Sequence, residues 1–112
     1  MATDIFTRLA QCTGFEWDRG NAPKVQARHG VTTGECEQVF FHEPLLIAPD
    51  APHSRTEERW AAWGRTAEGR TLAVVFTLRR DRIRPLSARD MNRKERQRYA
   101  QAQAQAGSQA DS

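Results

Sequence analysis

A chain of 112 residues with formal net charge +3 has room for one small domain and no second independent core. Its hydrophobic fraction of 38% is low, yet three Trp, five Phe and one Tyr suffice to anchor a modest core, which excludes wholesale disorder. No apolar run approaches the ~18 residues of a membrane span and the N-terminus lacks a signal-peptide pattern; the two cysteines, Cys12 and Cys36, are expected as free thiols in a soluble cytoplasmic protein.

In chain order, Ile5, Phe6, Leu9 and Cys12 recur at helical spacing over residues 4 to 12, ahead of Gly14 as a stop. Phe15 to Trp17 alternates like a brief strand. Asn21 is placed to cap a helix over residues 22 to 29, with Pro23 in its first turn and Gly30 in the position that ends it. Thr32 and Glu35 have capping-box spacing and open a further helix that Pro44 ends. Leu45 to Ala48 reads as a short strand and residues 49 to 56 as an exposed loop. Residues 59 to 65 form a strand with Arg59, Ala61, Trp63 and Arg65 on one side. A turn through Gly69 leads into TLAVVFTL, a strand apolar enough to be covered on both faces. Its partner runs from Arg82 to Ser87 and is at an edge or bulged, because Pro85 cannot donate to a ladder. From Asn92, which with Glu95 repeats the capping-box spacing, a basic helix begins and passes into the low-complexity segment QAQAQAGSQADS.

Charge is unevenly placed. Residues 1 to 56 hold five Lys or Arg against seven acids, residues 57 to 112 twelve against seven, and fifteen of the seventeen cations are arginine. Arginine's planar fork suits phosphate and stacks on bases, so a polyanionic partner is expected, nucleic acid ahead of membrane. The densest stretch, residues 79 to 98, carries nine cations and three acids. On the helix, Arg93, Lys94, Arg96 and Arg98 fit an ordinary solvated face. At the hairpin end, Arg82, Arg84 and Arg89 repel one another unless an anion is supplied, which argues for phosphate binding. His53, Ser54, Glu57, Glu58 and Arg59 gather acid–base types beside a strand, although such loops often carry them idly; His29 equally fits a simple helix terminus. The spacing of Cys12, His29, Cys36, His42 and His53 fits no compact metal site.

FEWDRGN, Lys24, RHGVTTGECEQVFF, EPLLIAPD, HS, EERW, GRT, GR, VVFT, RIRPLSARD and MNRKERQRY, taken in that order over residues 15 to 99, resemble the BrnT family of type II toxins. The resemblance implies an α+β chain of RelE-like fold, with helices on a mainly antiparallel sheet and a C-terminal basic helix. It divides the chain into an N-terminal extension (1–14), a toxin domain (15–100) and a polar tail (101–112). It also implies a ribonuclease that needs no metal or other cofactor. The implied partners are RNA and a BrnA-like antitoxin in a 2:2 complex, which alone contacts operator DNA; no membrane is involved. Lys24, His29, His53, Glu58, Arg59, Arg65, Arg84, Ser87, Arg89 and Lys94 stand at family-like positions. Val25 and Arg28 replace an expected Asn and Lys, and Pro85 a β-branched residue.

The expectation is an endoribonuclease that attacks through the ribose 2′-hydroxyl. Arginine keeps its proton at neutral pH, so Arg59, Arg65, Arg84 and Arg89 are expected to hold phosphate and stabilise developing charge, and the base is left open among Glu58, His29 and His53. Lys24, Arg28, Arg82, Ser87 and Lys94 are the further candidate RNA contacts. On this reading Arg84→Ala or Arg89→Ala abolishes cleavage and spares the fold. The alternatives are an RNA-binding module without turnover, or an attenuated toxin whose main business is to bind and co-repress with a DNA-binding antitoxin.

Overall fold

A computed structural model describes residues 4–50 and 56–110. Among these described residues four helices accompany one sheet: α1 (Ile5–Ala10), β1 (Gly14–Phe15), α2 (Ala22–His29), α3 (Thr33–Val39), β2 (Leu46–Pro49), β3 (Arg59–Arg65), β4 (Thr71–Arg79), β5 (Arg82–Asp90) and α4 (Arg93–Ala110). The sheet order is β1-β5-β4-β3-β2, with β1 parallel to β5 and every other pairing antiparallel. The α+β class and the mainly antiparallel sheet are those expected. No helix among the described residues is long and apolar enough to cross a membrane.

The two short helices before the sheet are set by their termini. Gly30, at φ +64°, ends α2 in the left-handed conformation that suits glycine. Thr32 and Glu35 form the full capping box of α3: Glu35 N–H donates to Thr32 Oγ1 and Thr32 N–H to Glu35 Oε1, both at 3.0 Å. α3 stops at Val39, short of Pro44. Asn21 does not cap α2 through its side chain. It is fully buried, with Nδ2 donating to the carbonyls of Glu16 and Pro85, both at 2.8 Å, and Oδ1 accepting from Asp18 N–H at 2.8 Å. Three backbone groups brought together by the fold outcompete the local cap.

One face of the sheet carries the core. Val25, Val31, Cys36 and Val39 from α2, α3 and their link pack on Leu72, Val74 and Ala88. Towards α1, Trp60, Ala62, Phe76 and Ile83 continue it, with Phe76 stacked on Trp60 at 5.7 Å and edge-on to Phe40 at 5.1 Å. Gly64 lets α3 lie directly on β3, since a Cβ there would stand 2.7 Å from Val39 Cγ1. Val25, where the family pattern has a polar residue, is fully buried in this core and so faces no ligand.

The other face bears Arg59, Ala61, Trp63 and Arg65 of β3, Ala73, Val75 and Thr77 of β4, and their register partners on β5. α4 closes one end of it through Tyr99, which is 1% exposed and donates to the Pro44 carbonyl at 2.6 Å. β4 is largely covered on both sides, as expected: the core-side Leu72, Val74 and Phe76 are buried, and on the other face Ala73 and Thr77 are buried while Val75 is partly so. β5 runs on to Asp90 rather than ending at Ser87, because its ladder with β4 continues through Ala73↔Arg89 and Leu72↔Asp90. The expected irregularity at Pro85 is a bulge: Val75 pairs with Ser87 but Phe76 with Pro85, leaving Leu86 as the extra residue.

Candidate functional site

The bulge decides which β5 side chains act together. Arg84 and Ser87 are an odd interval apart and would face opposite sides of a regular strand. With Leu86 extra, Arg84 pairs with Thr77, Ser87 with Val75 and Arg89 with Ala73, which places all three on the open face. Thr77 and Ala73 are four residues apart on β4, so Arg84 and Arg89 sit roughly 13 Å apart along it. They belong to two separate clusters.

The first cluster surrounds a hollow of about 200 Å³. Lys24 and His29, both exposed on α2, meet Ser87 and Arg89 of β5 there, over a floor of Ala61, Ala73 and Val75 and beside Trp63. Small side chains at the floor leave the space; cationic and proton-accepting groups line its rim. Arg89 is held from behind by Glu95, fork to carboxylate, at 2.7 and 3.0 Å. Glu95 also caps α4, accepting from Asn92 N–H at 2.8 Å, and accepts from Trp63 Nε1 at 2.6 Å. These donors, the Arg89 guanidinium first, hold its carboxyl down at about 2.

Behind the hollow stands Arg70, a residue that the sequence reading passed over. Its guanidinium meets Asp90 at 2.8 and 3.1 Å and Glu35 at 3.1 and 3.2 Å. It also donates to the His29 carbonyl at 3.0 Å and the Gly30 carbonyl at 3.3 Å. One side chain therefore ties the C-terminus of α2, the cap of α3 and the end of β5 together. The Arg70 hydrogen bonds lower the Asp90 carboxyl, and that of Glu35 is lowered by the Thr32 N–H and then by Arg70. Two carboxylates raise the Arg70 guanidinium in turn.

The second cluster lies at the other end of the same face. Arg84 is 7% exposed and its guanidinium contacts Asp18 at 2.8 and 3.1 Å and Glu16 at 2.9 Å. The Asp18 hydrogen bond is the main cause of its raised pKa, and Asp18 is lowered by the same bond. Glu16 and Glu57 also contact Arg79, at 3.3 and 3.7 Å, and Glu57 lies 3.8 Å from Arg59. Glu58 is well exposed, 3.4 Å from Arg8. Repulsion among the hairpin arginines was an argument for bound phosphate; for Arg84 and Arg89 the anions are the chain's own Asp18, Glu16 and Glu95.

The remaining candidates scatter. Arg65, at the end of β3, donates to the Glu43 carbonyl at 3.2 Å. Arg82 is exposed at the start of β5, and Lys94 on the first turn of α4. His53 lies outside the described residues, as does the side chain of Arg28. A larger hollow, about 440 Å³, opens on the core side among Phe6, Leu9, Phe15, Phe40 and Phe41, but no charged residue lines it.

Residues 17–95 match the family model for BrnT, the ribonuclease toxin of type II toxin-antitoxin systems. The chain belongs to the BrnT family. No match is found among curated proteins. The BrnT match spans α2 to the first turn of α4 and so contains the whole first cluster and the second except Glu16 and Arg8, while α1, β1 and most of α4 fall outside it. Membership makes the chain a ribonuclease toxin with an antitoxin as its partner.

Proposed function

We propose that the hollow beside α2 is where RNA is cut, by a metal-independent attack of the ribose 2′-hydroxyl on the adjacent phosphate. The observation that carries this reading is the convergence of Lys24, His29, Ser87 and Arg89 on one small hollow. Arg89 and Lys24 bind the phosphate oxygens and offset the charge that builds on them. His29, the imidazole in the hollow, removes the 2′-hydroxyl proton. The P–O5′ bond breaks as the new O2′–P bond forms, leaving a 2′,3′-cyclic phosphate. Lys24 at the rim is placed to give the departing 5′-oxygen its proton. Ser87 adds a hydrogen bond to phosphate. Glu58, Arg59 and Arg84, grouped at the far end, serve the fold or the passage of the strand; Arg65, Arg82, Arg28 and Lys94 extend the cationic surface along which RNA lies.

On this reading the fold is of the RelE type, the toxin domain spans residues 15–100 between an N-terminal extension and a polar tail, and the protein acts in the cytoplasm. A BrnA-like antitoxin, in a 2:2 complex, blocks the hollow and carries any contact with operator DNA. The test is a denaturing gel of RNA incubated with antitoxin-free protein in EDTA, beside His29→Ala and Arg89→Ala. Cleavage by wild type and its loss in both variants is expected. RNA binding without cleavage by wild type would instead favour a toxin that blocks translation by occupancy.

A further inference from the structure

Trp63 is placed unlike the other two tryptophans. Trp60 is 5% exposed, stacked on Phe76 within the core, and Trp17 packs against the core with its indole N–H on Glu37 at 2.7 Å. Trp63 stands on the opposite face, only partly buried, at the wall of the hollow. Towards the hollow its neighbours are small, Ala61 along β3 and Ala73 directly across on β4, while on its other side it pairs with Leu46 of β2. The next residue in the same row is Arg89, paired with Ala73. At about 4.8 Å between strands, the Cα atoms of Trp63 and Arg89 are therefore roughly 10 Å apart, with Ala73 between them. The indole N–H and Arg89 Nη2 both donate to Glu95 Oε2, at 2.6 and 3.0 Å, so one carboxylate oxygen anchors both side chains at the rim of the hollow.

We propose that Trp63 is a nucleobase platform: one base of single-stranded RNA stacks on the indole while the adjoining phosphate meets Arg89. This rests on the reading of the hollow as the cleavage site. A strut for α4 would need only the bond to Glu95; it would not need a large ring bordered by alanines on the side that faces the hollow. An aromatic side chain pinned through its N–H loses little freedom when a base lands on it, and stacking tolerates any base.

The experiment uses the full chain and a short RNA whose cut site has been mapped, together with copies in which each nucleotide flanking the cut is made abasic in turn. Cleavage and affinity are measured for wild type, Trp63→Ala and Trp63→Phe, with thermal unfolding as a check and Trp63→Leu in reserve should the alanine variant not fold. Trp63→Ala is expected to lose about tenfold to a hundredfold in affinity and in kcat/KM on intact RNA. Trp63→Phe, which keeps a ring and loses the bond to Glu95, recovers most of that loss. One abasic position costs wild type a similar factor and costs Trp63→Ala nothing further. An unchanged Trp63→Ala, an abasic penalty of equal size in both proteins, or a phenylalanine variant as poor as alanine overturns the proposal. So does a Trp63→Ala that binds RNA normally but fails to bind antitoxin. If wild type binds without cutting, the cleavage reading falls while the stack is still decided by affinity.

Discussion

Arg89 and Glu95 face each other as fork and carboxylate, at 2.7 and 3.0 Å, so this arginine at the hollow is already paired in the free protein. Phosphate must compete with Glu95 for it. Glu95→Gln should therefore tighten RNA binding, by a few-fold at low salt, and steepen the fall of affinity with salt, because the freed arginine then counts fully towards displaced counterions. Affinity titrations across a salt series check this; weaker binding by the glutamine variant would show that Glu95 orients Arg89 rather than shields it.

Arg84→Ala should behave differently from Arg89→Ala. Removing Arg84, 8% exposed at its side chain, takes the counter-ion from Asp18 and leaves Glu16 with Arg79 alone, at a cost of about 2 kcal/mol in stability. Urea unfolding should reveal that loss, and the folded fraction should still cleave. Arg89→Ala, at a partly exposed position, should unfold near wild type yet cleave at least a hundredfold more slowly. Equal stability of the two variants would place Arg84 in the site instead.

Arg70→Ala should loosen His29 without touching RNA. Three elements lose their common tie, so a drop of about 2 kcal/mol is expected. Catalysis should fall mainly in kcat, with KM little changed, since Lys24 and Arg89 keep their places on α2 and β5. Lysine at position 70 cannot restore a two-carboxylate fork and should rescue poorly. A KM effect equal to the kcat effect would argue against a positioning role.

Acid should unfold the protein through these same pairs. Asp18, Glu35, Asp90 and Glu95 all have folded-state pKa values below their ordinary ones, so the stability they contribute is present above the ordinary carboxylate range and is lost as pH falls. For Glu95 the loss falls between its ordinary 4.5 and about 2. Thermal midpoints from pH 6 to pH 2 should decline through that window, and Glu95→Gln should flatten the lower part of the decline. An unchanged slope would mean that Glu95 contributes nothing through its charge.

What the sequence makes legible here is local. Thr32 with Glu35, and Asn92 with Glu95, announce helix starts because both partners lie within one turn. β3 is bounded correctly because its alternation spans the whole strand. Arg70 is opaque because its partners Asp90, Glu35 and His29 lie 20, 35 and 41 residues away. Asn21 misleads for the same reason, its amide reaching a carbonyl 64 residues on. Of the candidate site, Lys24, His29, Ser87 and Arg89 converge on one hollow, whereas Arg84 and Glu58 lie towards the other end of the sheet. Trp63 lay in plain view on the predicted face of β3, but only its small neighbours on β4, supplied by register, give it a role.

Leu86 makes β5 two half-strands spliced with a shift of phase. The first half, through Arg84, docks on the carboxylates that follow β1; the second presents Ser87 and Arg89 to the hollow. Exchanging the Leu86 side chain leaves the splice intact. Deleting the residue would invert the parity of one half against the other, turning either Arg84 or the Ser87–Arg89 pair into the core. For the geometry of the site, the number of residues at that point therefore matters more than the identity of the side chain.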